Sequence, residues 1–128
     1  MSGLGFAAVG IGAACGAWLR WALGLWFNQV GVALPLGTWA ANLLGGYLIG
    51  VAVAVFASYP QLSPLWKLLL ITGFLGGLTT FSTFSAESFQ HVLQGDIGAA
   101  LLHAAAHLLG SLVMTGLGWW TWHCLQSP

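Results

Sequence analysis

Charged side chains are scarce in this sequence, which has two Lys or Arg and two Asp or Glu, together 3% of the chain. About a quarter of an average soluble domain is charged, so this scarcity excludes an ordinary water-soluble protein. The formal net charge is zero, and nothing electrostatic therefore favours a nucleic-acid partner. Apolar residues make up 59% of the chain and the mean hydropathy is +0.90. We therefore expect an integral membrane protein in a lipid bilayer.

Several chemical motifs are also missing. Cys15 and Cys124 lie far apart and form no C-x-x-C pair, so we interpret both as small apolar fillers. The N-terminus lacks the basic segment of a signal peptide, so no cleaved leader is expected. No nucleophile–base pair, phosphate-binding loop or redox motif is present, which argues against an enzyme.

Four apolar stretches are long enough to cross a bilayer, which takes about 20 residues in a helix. They run from about Leu4 to Phe27, from Leu36 to Ala57, from Leu65 to Val92 and from Ile97 to Cys124. The prediction is an all-α integral membrane protein with four transmembrane helices, forming one domain over residues 1–128.

The third stretch contains an unusual run, GFLGGLTTFSTFSAESF, from Gly73 to Phe89. Its glycines each cost about 1 kcal/mol in a helix relative to Ala, and the hydroxyls that follow offer the backbone other hydrogen-bond partners. We predict two half-helices separated by a break near the bilayer centre, where freed carbonyls could coordinate a cation. The alternative is a continuous, tightly packed Gly/Ser helix.

Phe81 and Phe84, three residues apart, share one face of a helix. Contact with the core or with lipid is the ordinary interpretation of such a pair. The positive edge of an aromatic ring can also face an anion, without the full charge that would trap the ion.

The second and fourth stretches carry polar side chains at helical spacing. Thr38 and Asn42 are four apart, and the Asn42 amide could donate to an anion or tie two helices together. His103, His107 and Ser111 form one polar stripe, which is expected to face the interior or a watery path. The histidines could form half a metal site, but no HExxH motif and no acidic third ligand accompany them in the sequence, which disfavours a metal.

Arg20 and Glu87 are the ionisable residues nearest the membrane interior, where such groups are candidates for function. Arg20 could concentrate anions in an entrance vestibule or extend to lipid headgroups, and Glu87 could pair with a donor near the break. Arg20 and Lys67 are expected on opposite sides of the membrane, so the charges favour neither orientation. One protomer is too small to enclose a path, so two copies in opposite orientation are the economical assembly.

Three segments together resemble the Fluc (CrcB) family of fluoride channels: GAWLRW from Gly16 to Trp21, GTWAANLLGGYLIG from Gly37 to Gly50, and GFLGGLTTFSTFSAE from Gly73 to Glu87. The resemblance implies a passive, fluoride-selective channel that exports fluoride across the bacterial cytoplasmic (inner) membrane. It further implies an antiparallel, dual-topology homodimer with two pores. A structural Na⁺ at the dimer centre would be held by the backbone carbonyls of Gly76 and Thr79.

The resemblance also assigns roles by position. It makes Phe81 and Phe84 the rings that line the fluoride path, with the Ser82 and Thr83 hydroxyls between them. It places Asn42 near the ion, Arg20 in the vestibule and Ser111 on the polar track. The family often has Tyr where this chain has His103, and Ser where it has His107. Because imidazole titrates near neutral pH, we expect conduction here to depend more on pH than in a Tyr/Ser homologue.

Two other functions are open to a small four-span membrane protein. A small multidrug proton antiporter also has four short spans and dual topology, but it needs an acidic residue in its first span, where this chain has only Arg20 as an ionisable side chain. A structural membrane subunit with no transport role would not need polar side chains recurring on three spans.

Overall fold

The computed structural model describes residues 2–28 and 34–126, and this part of the chain is helical with short connections. Its four long apolar helical stretches are Gly3–Phe27, Leu36–Ser58, Pro64–Leu93 and Ile97–Gln126. Each is long enough to cross a membrane. These bounds lie within a few residues of the predicted ones, which confirms the four-span, all-α fold.

The third span is subdivided, whereas the other three are single helices. The elements are α1 (Gly3–Phe27), α2 (Leu36–Ser58), α3 (Pro64–Lys67), a π-helical segment (Leu68–Leu75), α4 (Gly76–Leu78), α5 (Phe81–Leu93) and α6 (Ile97–Gln126). The π-helical segment was not predicted, because an apolar run of eight residues has no pattern that distinguishes the wider turn from an α-helix.

The helical path of span three is interrupted at two threonines. Thr79 (φ −81°, ψ 154°) and Thr80 (φ −147°, ψ 114°) are extended. The Thr80 hydroxyl then accepts from the Thr83 N–H at 3.1 Å and caps the new helix α5, which is the common role of a hydroxyl residue at a helix start. Both extended residues lie within the glycine–hydroxyl run from Gly73 to Phe89.

Glycines bring α1 and span three into backbone contact. We call Gly12, Gly16, Gly73 and Gly77 the glycine seam. A Cβ added at Gly16 would overlap the carbonyl oxygen of Phe74, and one at Gly73 would come within 2.8 Å of the Val9 carbonyl oxygen. Because small residues allow such close approach between membrane helices, the seam fixes where span three lies against α1.

The helices α2 and α6 make a second close pair of the same kind. A Cβ at Gly46 would come within 2.8 Å of the Ser111 carbonyl oxygen, and one at Gly118 would overlap the carbonyl oxygen of Tyr47. Gly12 and Gly16 on α1, and Gly46 and Gly50 on α2, thus all approach the backbone of a neighbouring helix closely. Span three thus packs against α1 on one hand and against α2 and α6 on the other.

Candidate functional site

A cavity of about 830 Å³ lies beside the interruption of span three. Its walls come from α2, span three and α6. Among its lining residues are seven singled out from the sequence: Asn42, Gly76, Thr79, Phe81, Phe84, His107 and Ser111. The structure therefore brings residues from three different spans to one space.

Asn42 holds the interrupted backbone in place. Its Oδ1 accepts from the Thr80 N–H at 2.8 Å, and its Nδ2 donates to the Thr80 carbonyl oxygen at 3.2 Å. The side-chain amide thus bonds both backbone groups of one residue. A third bond joins Nδ2 to Nδ1 of His107 at 3.0 Å. Of the two roles open for Asn42, this structure has it tying α2 to span three and to α6.

These bonds also determine where the proton of His107 lies. The Thr80 N–H can only donate, so the Asn42 atom facing it is the oxygen, and the atom facing His107 is the amide nitrogen. An amide nitrogen can only donate, so Nδ1 of His107 accepts and the ring proton is on Nε2. That Nε2 is buried and has no hydrogen-bond partner among the described residues.

Glu87 reaches two neighbouring spans. The Thr38 hydroxyl donates to its Oε1 at 2.8 Å, and its Oε2 lies 3.3 Å from Nε2 of His103. Nδ1 of His103 is in turn 2.8 Å from the Ser88 hydroxyl. Glu87 therefore does pair, with partners on α2 and α6.

The expectation that no acidic side chain accompanies His103 and His107 is wrong. One ligand atom from each histidine and one oxygen from Glu87 all lie within 4.8 Å of one another. We call these three residues the polar cluster. Packing of α5 against α6 creates the cluster, and for that reason the local sequence around the histidines could not show it.

Aromatic rings cover one side of the polar cluster. The Phe84 ring stacks on His103 with centroids 5.8 Å apart and planes 6° apart, and its centroid is 5.0 Å from that of His107. Phe81 meets Phe84 edge-on at 5.2 Å and 64°, as expected from their shared face. Phe81 itself is 78% exposed in the single protomer. The outer ring therefore has an open face beside the cavity.

The remaining predicted hydroxyls separate into two groups. Ser82 and Thr83 lie at the start of α5, where their hydroxyls are 3.3 Å and 3.0 Å from the Thr80 hydroxyl. Ser111 lines the cavity from α6, and its carbonyl oxygen accepts from the Thr115 hydroxyl at 2.9 Å. Ser111 thus lies on the same cavity wall as His107, one helical turn further along α6.

Arg20 contacts the interruption from α1. Its Nε donates to the Gly77 carbonyl oxygen at 3.1 Å, and the residue is partly buried. This contact was not predicted, because it joins residues that are distant in the sequence and depends on the glycine seam. The guanidinium therefore lies close to the end of α4.

Two backbone carbonyls at the interruption lack their usual helical donors. In a continuous helix a carbonyl accepts from the N–H four residues later. The donor for Gly76 would be the Thr80 N–H, which bonds Asn42, and the donor for Thr79 would be the Thr83 N–H, which bonds the Thr80 hydroxyl. Both carbonyls are thus deprived of a helical partner, which suits a cation that is bound by oxygen.

The fold and the site together define a class. The chain is a multi-pass membrane protein with an interrupted span beside a largely apolar cavity, whose lining includes hydroxyl, amide, imidazole and aromatic side chains. Irregular backbone at membrane depth occurs where it is buried in protein or lines a watery space.

The chain belongs to the CrcB-like family. The family model described as "CrcB-like protein, Camphor Resistance (CrcB)" matches residues 7–119. A Ralstonia nicotianae protein is 63% identical over 121 residues, covering 94% of this chain and 96% of its own. A Cupriavidus pinatubonensis protein is 62% identical over 125 residues, covering 98% and 99%, and a Ralstonia pickettii protein is 64% identical over 121 residues, covering 94% and 96%. All three bear the name "Fluoride-specific ion channel FluC". The resemblance inferred from the sequence is confirmed.

Proposed function

We propose that this protein is a passive, fluoride-selective ion channel that exports fluoride across a bacterial cytoplasmic membrane. The observation that carries the proposal is the 62% identity, over 98% of the chain, to a protein named as a fluoride-specific ion channel. The small multidrug antiporter, weighed as the alternative, has no support among the relatives.

The cavity offers the chemistry that an anion path needs. A bare charge at the membrane centre is costly, and an anion there must meet donors or positive ring edges throughout. Phe81 and Phe84 supply ring edges, while His107 and Ser111 supply polar groups on the facing helix. None of these four side chains carries a fixed charge, so the ion is stabilised without being held too tightly to leave.

Two protomers in opposite orientation would complete the path. Phe81 is 78% exposed and Gly76 is also exposed in the single protomer, so a second copy has an open surface to cover beside the cavity. The balance of Arg20 against Lys67 lets both orientations insert. The antiparallel homodimer has two pores, and the interruption of span three lies near the bilayer centre.

A Na⁺ at the centre of this dimer fits the residues present. The Gly76 and Thr79 carbonyls, whose helical donors are engaged elsewhere, would hold it. When bound, Na⁺ supplies positive charge beside the two paths. Arg20 adds positive charge near the same point, because its Nε bonds the Gly77 carbonyl.

Fluoride efflux from liposomes containing the purified protein tests the proposal. We expect rapid efflux down a fluoride gradient with no proton gradient imposed, and no comparable efflux of chloride. Protein-free liposomes correct for the permeation of hydrofluoric acid. Efflux that appears only with an opposing proton gradient would indicate a coupled transporter, and absence of efflux from well-folded protein would indicate a structural subunit.

A further inference from the structure

Three buried polar atoms of the polar cluster have no hydrogen-bond partner among the described residues: Glu87 Oε2, His103 Nε2 and His107 Nε2. Both histidines are 3% exposed. Buried polar atoms are nearly always paired. Among the described residues His107 Nε2 has no partner, while Glu87 Oε2 and His103 Nε2 have only their 3.3 Å approach to each other. One ligand atom from each of the three residues lies within 4.8 Å of the others, and this arrangement requires an explanation. A single ligand that contacts all three would provide one.

Two imidazoles and one carboxylate form a common ligand set for Zn²⁺ in sites that keep a fourth position open. With bonds of about 2.0 Å, neighbouring ligands of a tetrahedral zinc are about 3.3 Å apart. His103 Nε2 and Glu87 Oε2 are already 3.3 Å apart, and the third ligand atom lies within 4.8 Å. We propose that Glu87, His103 and His107 form a binding site for a divalent transition metal of the zinc class, and that its occupancy closes the path. Closure of the path by the metal rests on the proposed channel function, whereas the metal site itself does not.

Hydrogen bonds behind the ligands support this assignment for Glu87 and His103. The Thr38 hydroxyl holds Oε1 of Glu87, and the Ser88 hydroxyl holds Nδ1 of His103. These contacts direct the opposite atoms, Oε2 and Nε2, towards each other. Metal-binding imidazoles and carboxylates usually have such partners, which orient them.

His107 gives the site its expected effect on the path. Coordination through Nε2 moves the ring proton to Nδ1, which must then find an acceptor. The neighbour of Nδ1 is the Asn42 amide nitrogen at 3.0 Å. To accept, Asn42 must turn its amide and release both backbone groups of Thr80. Metal binding at His107 therefore competes with the bonds that hold the interruption, beside a cavity that His107 itself lines.

Calorimetric titration of the purified full-length protein with Zn²⁺ tests the site directly. Cys15 and Cys124 are exposed thiols, so the titration uses the Cys15→Ser, Cys124→Ser protein to remove competing ligands. We expect one Zn²⁺ per chain, with affinity reduced about 100-fold in His103→Tyr and in His107→Ser. His123→Gln, at the far end of α6, is the control and should bind as tightly as the parent protein.

X-ray absorption on the zinc-loaded parent protein keeps the test independent of how the variants fold. Two imidazoles and one carboxylate oxygen in the spectrum would support the ligand set, whereas thiolate or oxygen-only coordination would overturn it. An equal loss of affinity in His91→Gln would also overturn it, because His91 lies beside His103 with ring centroids 5.8 Å apart. A calorimetric titration in which the parent protein binds no zinc would overturn the proposed site as well.

Fluoride efflux then tests closure separately. Saturating Zn²⁺ should slow efflux at least about tenfold in the parent protein and leave it nearly unchanged in His103→Tyr, relative to that variant without zinc. Zinc that binds to the protein without slowing fluoride efflux would overturn the proposal that the bound metal closes the path. A protein that binds zinc at these residues but shows no fluoride efflux would instead overturn the proposed channel function.

Discussion

The glycine seam and the polar cluster involve different halves of span three, before and after the interruption at Thr79 and Thr80, and are built in opposite ways. At the seam, backbone meets backbone, and an added Cβ at Gly16 or Gly73 has no room. At the polar cluster, three buried polar atoms make no hydrogen bond among the described residues, and two of them, Glu87 Oε2 and His103 Nε2, face each other at 3.3 Å. The seam has no space for an additional side-chain atom, whereas the three residues of the cluster could bind a metal ion.

This difference shows how a small membrane protein can support an interrupted helix. Without a hydrophobic driving force between helices in lipid, close packing has to hold the spans together. The seam and the α2–α6 contacts supply that packing, so the polar side need not be fully satisfied. Close packing and the polar side chains of the site are thereby concentrated in different halves of the same span.

The most disruptive change should be at the seam. In Gly16→Ala the new methyl overlaps the Phe74 carbonyl, which is backbone and cannot rotate away. We expect a loss of about 3 kcal/mol, the upper part of the usual range for overpacking, seen as a lower midpoint of thermal unfolding in detergent. Gly10→Ala is the matched control, since nothing lies within 4 Å of the new methyl. If both variants unfold at the parent temperature, the seam is not what holds α1 to span three.

Loss of the Asn42 amide should have the next largest effect. Asn42→Leu leaves the Thr80 N–H and carbonyl without their partner, and we expect a cost of about 2 kcal/mol together with a marked loss of fluoride efflux. Trp39→Phe is the comparison at the same α2–α6 interface, because it removes one bond, to the Ala106 carbonyl at 3.0 Å. That change should cost about 1 kcal/mol and spare efflux. If Asn42→Leu and Trp39→Phe show equal fluoride efflux, the Asn42–Thr80 bonds are not required for the fluoride path.

Arg20 should give the smallest effect of the three. Arg20→Lys keeps the positive charge but lacks the Nε donor to Gly77, so we expect a stability loss of about 1 kcal/mol with most fluoride efflux retained. Arg20→Gln removes the charge as well and should slow efflux further at low salt, where electrostatic attraction of anions is strongest. The difference between the two variants measures the contribution of the charge. If Arg20→Lys and Arg20→Gln have the same efflux rate at low salt, Arg20 has a structural role only.

The sequence predicted those features that depend on local composition. Hydropathy located the four spans to within a few residues, and the two extended residues of span three lie in the glycine–hydroxyl run. The spacing of Phe81 and Phe84 predicted that their rings would be neighbours. Each of these depends on residues that are close in sequence, where propensity and periodicity are informative.

Partners that come together only through packing could not be predicted from the sequence. Three such contacts connect different spans: Asn42 bonds Thr80, Glu87 pairs with His103 close to His107, and Arg20 bonds Gly77. Which polar residues meet depends on the rotation of each helix about its axis. That rotation is fixed by the glycine contacts, and no single stretch of sequence encodes it.

The most direct test of the central claim is the rate of fluoride efflux from liposomes containing Phe81→Ile. Phe89→Ile is its matched control, because Phe89 is also on α5 and is 57% exposed, but lies outside the cavity lining. If the cavity beside Thr79 and Thr80 is the fluoride path, Phe81→Ile abolishes efflux while Phe89→Ile retains it, with both proteins folded. Efflux that is unchanged in Phe81→Ile, or lost equally in both variants, would contradict the account.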